Sequence, residues 1–196
     1  DEIYEKLIYD SQIHISIASL NNQIKDLCLV VNGVSKTYAM TGWRIGYLAG
    51  KKEIISAIDT LQSHSTSNPC SISQKAALEA FSYSAEKIEE MRKKFEERRD
   101  YIWNFFNNFS DISCLKPEGA FYIFLDVSKL LNKNFSEKKI KSASDLAEYF
   151  LEEAKVAVVP GEGFGKNDHI RLSYATSMEN IINACKRMKK AIEKLT

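Results

Sequence analysis

Two short apolar runs constrain the fold of this chain more than any other feature. Cys28-Leu29-Val30-Val31 is continuous and ends at Asn32-Gly33, and a second run over residues 45–49 ends at Gly50. Runs of this length, bounded by turn residues, read as buried strands of a covered sheet. Residues 51–63 follow with Ile54, Ile55, Ile58 and Leu61 at helical spacing, so the second strand leads directly into a helix. After a polar loop at 63–69, the pattern predicts a long helical stretch from about residue 73 towards 109. It carries Ile88, Met91, Phe95, Ile102, Phe105, Phe106 and Phe109 on one side, with charges of both signs through residues 86–100.

The second half changes texture. Residues 112–115, 121–125, 156–159 and 170–173 are strand-like, and Leu146, Ala147, Phe150, Leu151 and Ala154 fit one helix face. A final helix opens on Thr176-x-x-Glu179, the spacing of a capping box. Its stripe is Met178, Ile181, Ile182, Cys185, Met188, Ile192 and Leu195. The lysine-rich stretch 129–144 reads as a loop or short insertion. Helices set beside a small sheet imply a compact α+β unit.

Composition excludes several classes. With 44% hydrophobic residues among 196, the chain can bury a real core. The 27 Lys+Arg against 26 Asp+Glu leave a net charge of +1, which gives no reason to expect nucleic acid or an anionic membrane as partner. The basic cluster at 186–190 reads as a solvated helix face. Four scattered cysteines (Cys28, Cys70, Cys114, Cys185) predict reduced, mostly buried thiols rather than a disulfide framework. The histidines His14, His64 and His169 lack metal-ligand spacing, so no metal is expected. No apolar run spans a bilayer and no signal peptide is recognisable, which makes the cytoplasm the default location.

The informative segment is Ser35-Lys36-Thr37-Tyr38-Ala39-Met40-Thr41-Gly42-Trp43-Arg44-Ile45-Gly46-Tyr47. A lysine just past a strand sits where α/β proteins place ligands. An arginine eight residues later opens the next strand, and two cations across a turn can hold a phosphate. A lysine desolvated beside another cation also becomes a better nucleophile. On pattern alone, a surface lysine and a structural arginine remain the alternative.

The segment as a whole resembles the pyridoxal-lysine signature of class I aminotransferases of fold type I, especially the bacterial-type aspartate aminotransferase branch. The resemblance implies that Lys36 carries pyridoxal 5'-phosphate as a Schiff base and shuttles the catalytic proton, and that Arg44 binds the cofactor phosphate. Asp1-Glu2-Ile3-Tyr4 is similar to the family's upstream motif, which implies Asp1 at the pyridinium nitrogen and Tyr4 at the phenolic oxygen. Val159-Pro160-Gly161-Glu162-Gly163-Phe164-Gly165 and His169-Ile170-Arg171-Leu172-Ser173-Tyr174-Ala175 extend the resemblance, and imply that Arg171 grips the substrate α-carboxylate. Gly119-Ala120-Phe121-Tyr122 resembles a strand walling the site, with Phe121 and Tyr122 expected in core packing. Relatives often carry a phosphate-contacting serine where this chain has Gly33; Ser35 is expected to supply the hydroxyl instead.

The resemblance implies an α/β fold: a partial large-domain sheet with helices over residues 1–95, then a small C-terminal α+β domain over 96–196. It implies a transaminase acting on an amino acid, aspartate first, and a 2-oxo acid, and a homodimer for the full-length protein. Because the chain opens in mid-motif, a fragment lacking its N-terminal part is expected, with doubtful activity alone. A carbon–sulfur lyase or synthase of the same fold, or a non-catalytic folded fragment, is the alternative.

Overall fold

The structure, a computed structural model, describes residues 1–136 and 138–196. It divides into two compact units, Asp1–Arg92 and Lys93–Thr196.

The first unit is built round a hairpin. After α1 (Asn22–Leu27), whose N-terminus is capped by the Asn21 side chain accepting from the Ile24 N–H, the chain forms β1 (Val30–Gly33) and β2 (Gly46–Ala49). The strands are antiparallel, in register from Val30 opposite Ala49 to Gly33 opposite Gly46. Helices α2 (Lys52–Ser63) and α3 (Ser71–Phe81) follow, and α4 (Ala85–Asn107) begins in this unit and ends in the second. Val34, Ala77 and Ala80 form a small buried cluster flanked by Tyr38, Met40 and Ile45, so α3 packs on the loop that leaves β1. Phe81 meets the rings of Tyr38 and Tyr47 edge-on at 6.0 and 5.9 Å.

Three expectations change here. Strand β1 starts two residues after the apolar run begins, and Asn32-Gly33, expected to end it, are its buried part. The run itself is not covered: Leu29 and Val31 are 40% and 46% exposed. Asn32 can be buried because both ends of its amide are satisfied, Nδ2 donating to Glu5 Oε1 (3.1 Å) and Oδ1 accepting from the Gly33 N–H (2.7 Å). The long helix is broken at residues 82–84. There the Ser82 and Tyr83 N–H groups close α3 on the Glu79 and Ala80 carbonyls, and the Ser84 carbonyl accepts from Lys87 and Ile88 to open α4.

The second unit contains β3 (Tyr122–Asp126), a short hairpin of β4 (Asn134–Phe135) and β5 (Lys138–Lys139), α5 (Ala143–Tyr149), β6 (Val159–Pro160), β7 (His169–Ser173) and α6 (Met178–Ile192). Strand β7 lies between β3 and β6, antiparallel to both. Alternation gives the sheet two unlike faces. Ile123, Leu125, Ile170 and Leu172 are buried, together with Leu146, Phe150, Ile181, Cys185 and Met188 of the helical segments. Tyr122, Phe124, Asp126, His169 and Arg171, on the other face, stay half-buried.

Here too the sequence reading needs correction. Residues 112–115 contribute only a bridge from Ser113 to Asp126, and residues 156–159 pair only at Val159. The cap of α6 is Ser177, whose hydroxyl accepts from the Asn180 N–H; Thr176 Oγ1 accepts from the Asn180 side chain instead. A capping box does occur, at Ser142 and Asp145 of α5, inside the stretch read as a loop. After Tyr149 the helix widens into a π turn over Phe150–Ala154. The change of period turns Leu151 outward, 54% exposed, while Phe150 and Ala154 stay buried. The four thiols are free, but only Cys185 is buried, which pushes its pKa up to about 12; Cys70 is exposed. No helix among the described residues is long and apolar enough to cross a membrane.

Arg99 on α4 is fully buried. Its guanidinium donates to the Pro117 carbonyl at 2.6 Å and lies 2.8 Å from Asp100 Oδ1, which Lys116 also approaches at 3.1 Å. It therefore pins the segment before β3 to the helix. Arg99→Ala leaves both a void and an unpaired carbonyl, and is expected to cost about 3 kcal/mol of unfolding free energy in urea titrations.

Candidate functional site

Two glycines face each other across the end of the β1–β2 hairpin. A Cβ on Gly33 would stand 3.0 Å from Gly46 Cα and 3.1 Å from the Ile45 carbonyl, and one on Gly46 would stand 3.0 Å from the Asn32 carbonyl. Both obstacles are backbone, which cannot swing aside. The hairpin thus closes tightly at its last pair, and the loop of residues 34–45 projects from that clamp.

Lys36 lies in the first turn of this loop. The Tyr38 N–H bonds to the Val34 carbonyl (3.2 Å), Met40 N–H to Ser35 (3.1 Å) and Ala39 N–H to Lys36 (3.4 Å). Ala39 adopts φ +53°, a conformation few side-chain-bearing residues take, so the turn is held by its surroundings. Lys36 and Ser35 are half-buried, and Thr37 is buried beneath them. The Ser35 hydroxyl makes no hydrogen bond among the described residues. Arg44 sits at the loop's other end, after a 3-10 turn over Thr41–Trp43, with φ 51° and ψ 50°. One guanidinium nitrogen donates to the Thr41 carbonyl at 2.9 Å. The rest of the exposed guanidinium faces outward with no further partner among the described residues.

Tyr4 comes to this loop from the start of the chain. The Glu2 N–H donates to the Val31 carbonyl at 2.8 Å, which lays residues 1–5 along β1. The Lys36 ammonium then stands 5.8 Å from the centre of the Tyr4 ring. The exposed Asp1 accepts from the Ile3 N–H at 3.0 Å and stays on the same segment.

No linear pattern signals what holds this segment in place. Glu2 Oε1 accepts from the Ser16 hydroxyl (2.5 Å), and Oε2 lies 3.2 Å from His14 Nε2. With Glu5 on buried Asn32, the segment is tied to both the hairpin and residues 14–16. Pairings between positions this far apart carry no periodic pattern. The Ser16 hydrogen bond above all, and then His14, hold the Glu2 carboxyl below the usual range, although burial acts the other way.

Arg171, in the second unit, lies mid-strand on β7, opposite Phe124 on one side and Val159 on the other. Its guanidinium carbon is 4.4 Å from the centres of both the Tyr122 and Phe164 rings. No carboxylate or carbonyl among the described residues accepts from it. A half-buried arginine framed by rings, with its N–H groups unspent, is built to receive an anion. Phe121 stacks on Phe95 at 5.6 Å, and the Tyr122 ring packs on Phe121 at 4.7 Å as well as on Arg171.

An amine over a phenol, with a guanidinium at the far end of the same loop, makes a site suited to a carbonyl group and an anion. The family described as aminotransferase class I and II matches residues 1–188, and the chain belongs to that family. It is 46% identical over 194 residues to an aspartate aminotransferase of Bacillus subtilis, covering 99% of the chain and 48% of that protein. It is 48% identical over 192 residues to a probable aspartate/prephenate aminotransferase of Rickettsia bellii, covering 97% and 48%. Among solved structures, the aspartate aminotransferase of Rhizobium meliloti superposes with TM-score 0.95 at 43% identity, over 100% of this chain and 49% of that one. An aromatic aminotransferase from Pyrococcus horikoshii gives 0.89 at 37%, over 99% and 50%. The fold is the α/β fold of type I aminotransferases, and the chain spans about half the length of the curated relatives it matches.

Two predictions follow from the hairpin and its tether. Gly33→Ser brings a Cβ to 3.0 Å from the Gly46 backbone, and is expected to cost about 1–3 kcal/mol in urea unfolding. Glu2 has a depressed folded pKa, so its stabilisation is present above the unfolded value near about 4.3 and is lost as pH falls through the folded one. Glu2→Gln should therefore lower stability by about 1 kcal/mol at neutral pH, and thermal melts of the two proteins should converge in acid.

Proposed function

We propose that this chain supplies the lysine-bearing part of a pyridoxal 5'-phosphate-dependent aminotransferase, which moves an amino group between an amino acid and a 2-oxo acid. The observation that carries the reading is the single loop bearing Lys36 and Arg44, with Tyr4 laid against the lysine. The relatives described as aspartate aminotransferases make aspartate the first substrate to test. The aromatic aminotransferase among the structural neighbours keeps the side-chain preference a question for experiment.

The donor set fits the cofactor. Lys36 offers the amine for its aldehyde carbon, Tyr4 a phenol for its ring oxygen, Asp1 a carboxylate for its ring nitrogen, and Arg44 with Ser35 donors for its phosphate. When bound, the cofactor supplies an electron sink for the pair left when the substrate α-proton departs. Lys36 would be the catalytic residue, its free amine taking and returning that proton. Asp1 would keep a proton on the ring nitrogen, and Arg44 would offer a planar fork to the phosphate. Arg171 holds the α-carboxylate through two parallel hydrogen bonds. In this reading residues 1–95 belong to the cofactor-binding domain and residues 96–196 to a small domain. The whole protein works as a cytoplasmic homodimer on small-molecule substrates.

The test is an absorption spectrum of the 196-residue chain with pyridoxal phosphate, beside Lys36→Ala. The expected result is a visible band absent from the variant, which borohydride converts into a covalent label on Lys36. Aspartate should then bleach the band. Identical spectra for the two proteins would mean that this stretch alone does not assemble the cofactor site.

A further inference from the structure

We propose that Glu2, Glu5 and His14 form a binding site for a divalent transition-metal ion of the zinc type, which ties the segment carrying Tyr4 to residue 14. The site lies wholly in the first unit and does not depend on the reading of Lys36. The spacing of the three residues along the chain matches no common metal motif; the fold brings them together.

One donor atom from each residue lies within 4.8 Å of the other two. His14 Nε2 is closed to solvent and makes no hydrogen bond, although Glu2 Oε2 stands only 3.2 Å away. A solvent-excluded ring nitrogen without a partner is costly, and a cation bound by both atoms removes that penalty. The spacing fits such an ion. Zinc holds nitrogen at about 2.0–2.1 Å and carboxylate oxygen at about 2.0–2.2 Å in tetrahedral sites, which sets neighbouring ligand atoms about 3.3–3.5 Å apart. The Glu2–His14 pair is already near that separation. Glu5, half-buried at the end of a long side chain, closes the remainder by rotation.

Charge and the surrounding bonds agree with this. Among the described residues neither carboxylate is paired with a lysine or arginine, so the two together balance a doubly charged ion. Each is also braced from outside. The Ser16 hydroxyl donates to Glu2 Oε1 at 2.5 Å, and Asn32 Nδ2 donates to Glu5 Oε1 at 3.1 Å. Asn32 is itself buried and fixed by the Gly33 N–H. Carboxylates oriented by such outer bonds are what ordered metal sites employ. A ring nitrogen among the donors favours a zinc-like ion over calcium or magnesium, which take oxygen. Three protein donors leave a fourth position for water. A second group, Asp126, Asp168 and His169, brings its donor atoms equally close, but there His169 Nδ1 shares a hydrogen bond with Asp168 at 2.6 Å. Glu2 and Glu5 flank Tyr4, whose ring centre is 5.8 Å from the Lys36 ammonium, so the ion would fix the residue that meets the lysine.

The experiment titrates the 196-residue chain with cobalt(II), without pyridoxal phosphate, and follows its absorption. Visible bands of tetrahedral cobalt should appear and saturate at one ion per chain, without the strong near-ultraviolet band that thiolate ligands give. Zinc should displace the cobalt and raise the melting temperature, and magnesium should do neither. His14→Gln and Glu5→Gln, checked for folding by circular dichroism, should lose both the bands and the zinc-dependent rise. Ser16→Ala, which removes an outer bond and keeps every ligand, should weaken cobalt binding about 10–100-fold. His169→Gln should bind as wild type does. The proposal is overturned if the wild-type chain gives no saturable visible bands or a thiolate band accompanies them. It is equally overturned if magnesium competes as well as zinc, if the bands survive His14→Gln, or if they vanish in His169→Gln.

Discussion

Gly33 and Gly46 bring two backbones so close that an added Cβ would stand 3.0 Å from the opposite strand, and the chemistry of the first unit hangs from that contact. Because the strands close there, the loop between them starts and finishes at fixed points. The amine of Lys36 and the guanidinium of Arg44 therefore project from the two ends of one short, bounded segment. Buried Asn32 completes the clamp by linking β1 to Glu5, and Glu2 links the same stretch to His14 and Ser16. Tyr4 reaches the lysine because of these bonds. The clamp also accounts for glycine at position 33, where an added Cβ would stand 3.0 Å from Gly46 Cα.

The second unit solves a different problem by a related device. Its sheet has one buried face, which supplies stability, and one half-open face, which carries Arg171 between two rings. Burying a lone guanidinium without a counter-charge would be costly. The two rings give partial compensation. Arg99 shows the opposite arrangement in the same unit: it is fully buried, its nitrogens bonded to a carbonyl and paired with carboxylates. One arginine is spent on structure, and the other is held in reserve.

The helix over residues 52–63, the two strands that flank the loop, the apolar stripe of α6 and the identity of the loop residues are all legible in the linear chain. These are local matters, set by periodicity, turn residues and motif spacing. The tertiary structure decided the rest. The break between α3 and α4 depends on which carbonyls the Ser82 and Tyr83 N–H groups find, and the π turn that exposes Leu151 depends on packing after Tyr149. The capping box appeared at Ser142 rather than Thr176 because the cap belongs to whichever residue has extended backbone at the helix start. The pairings of Glu2 with His14, of Asn32 with Glu5 and of Arg171 with two rings join residues distant in the chain. Such contacts are fixed by three-dimensional closure, and a linear pattern carries no record of them.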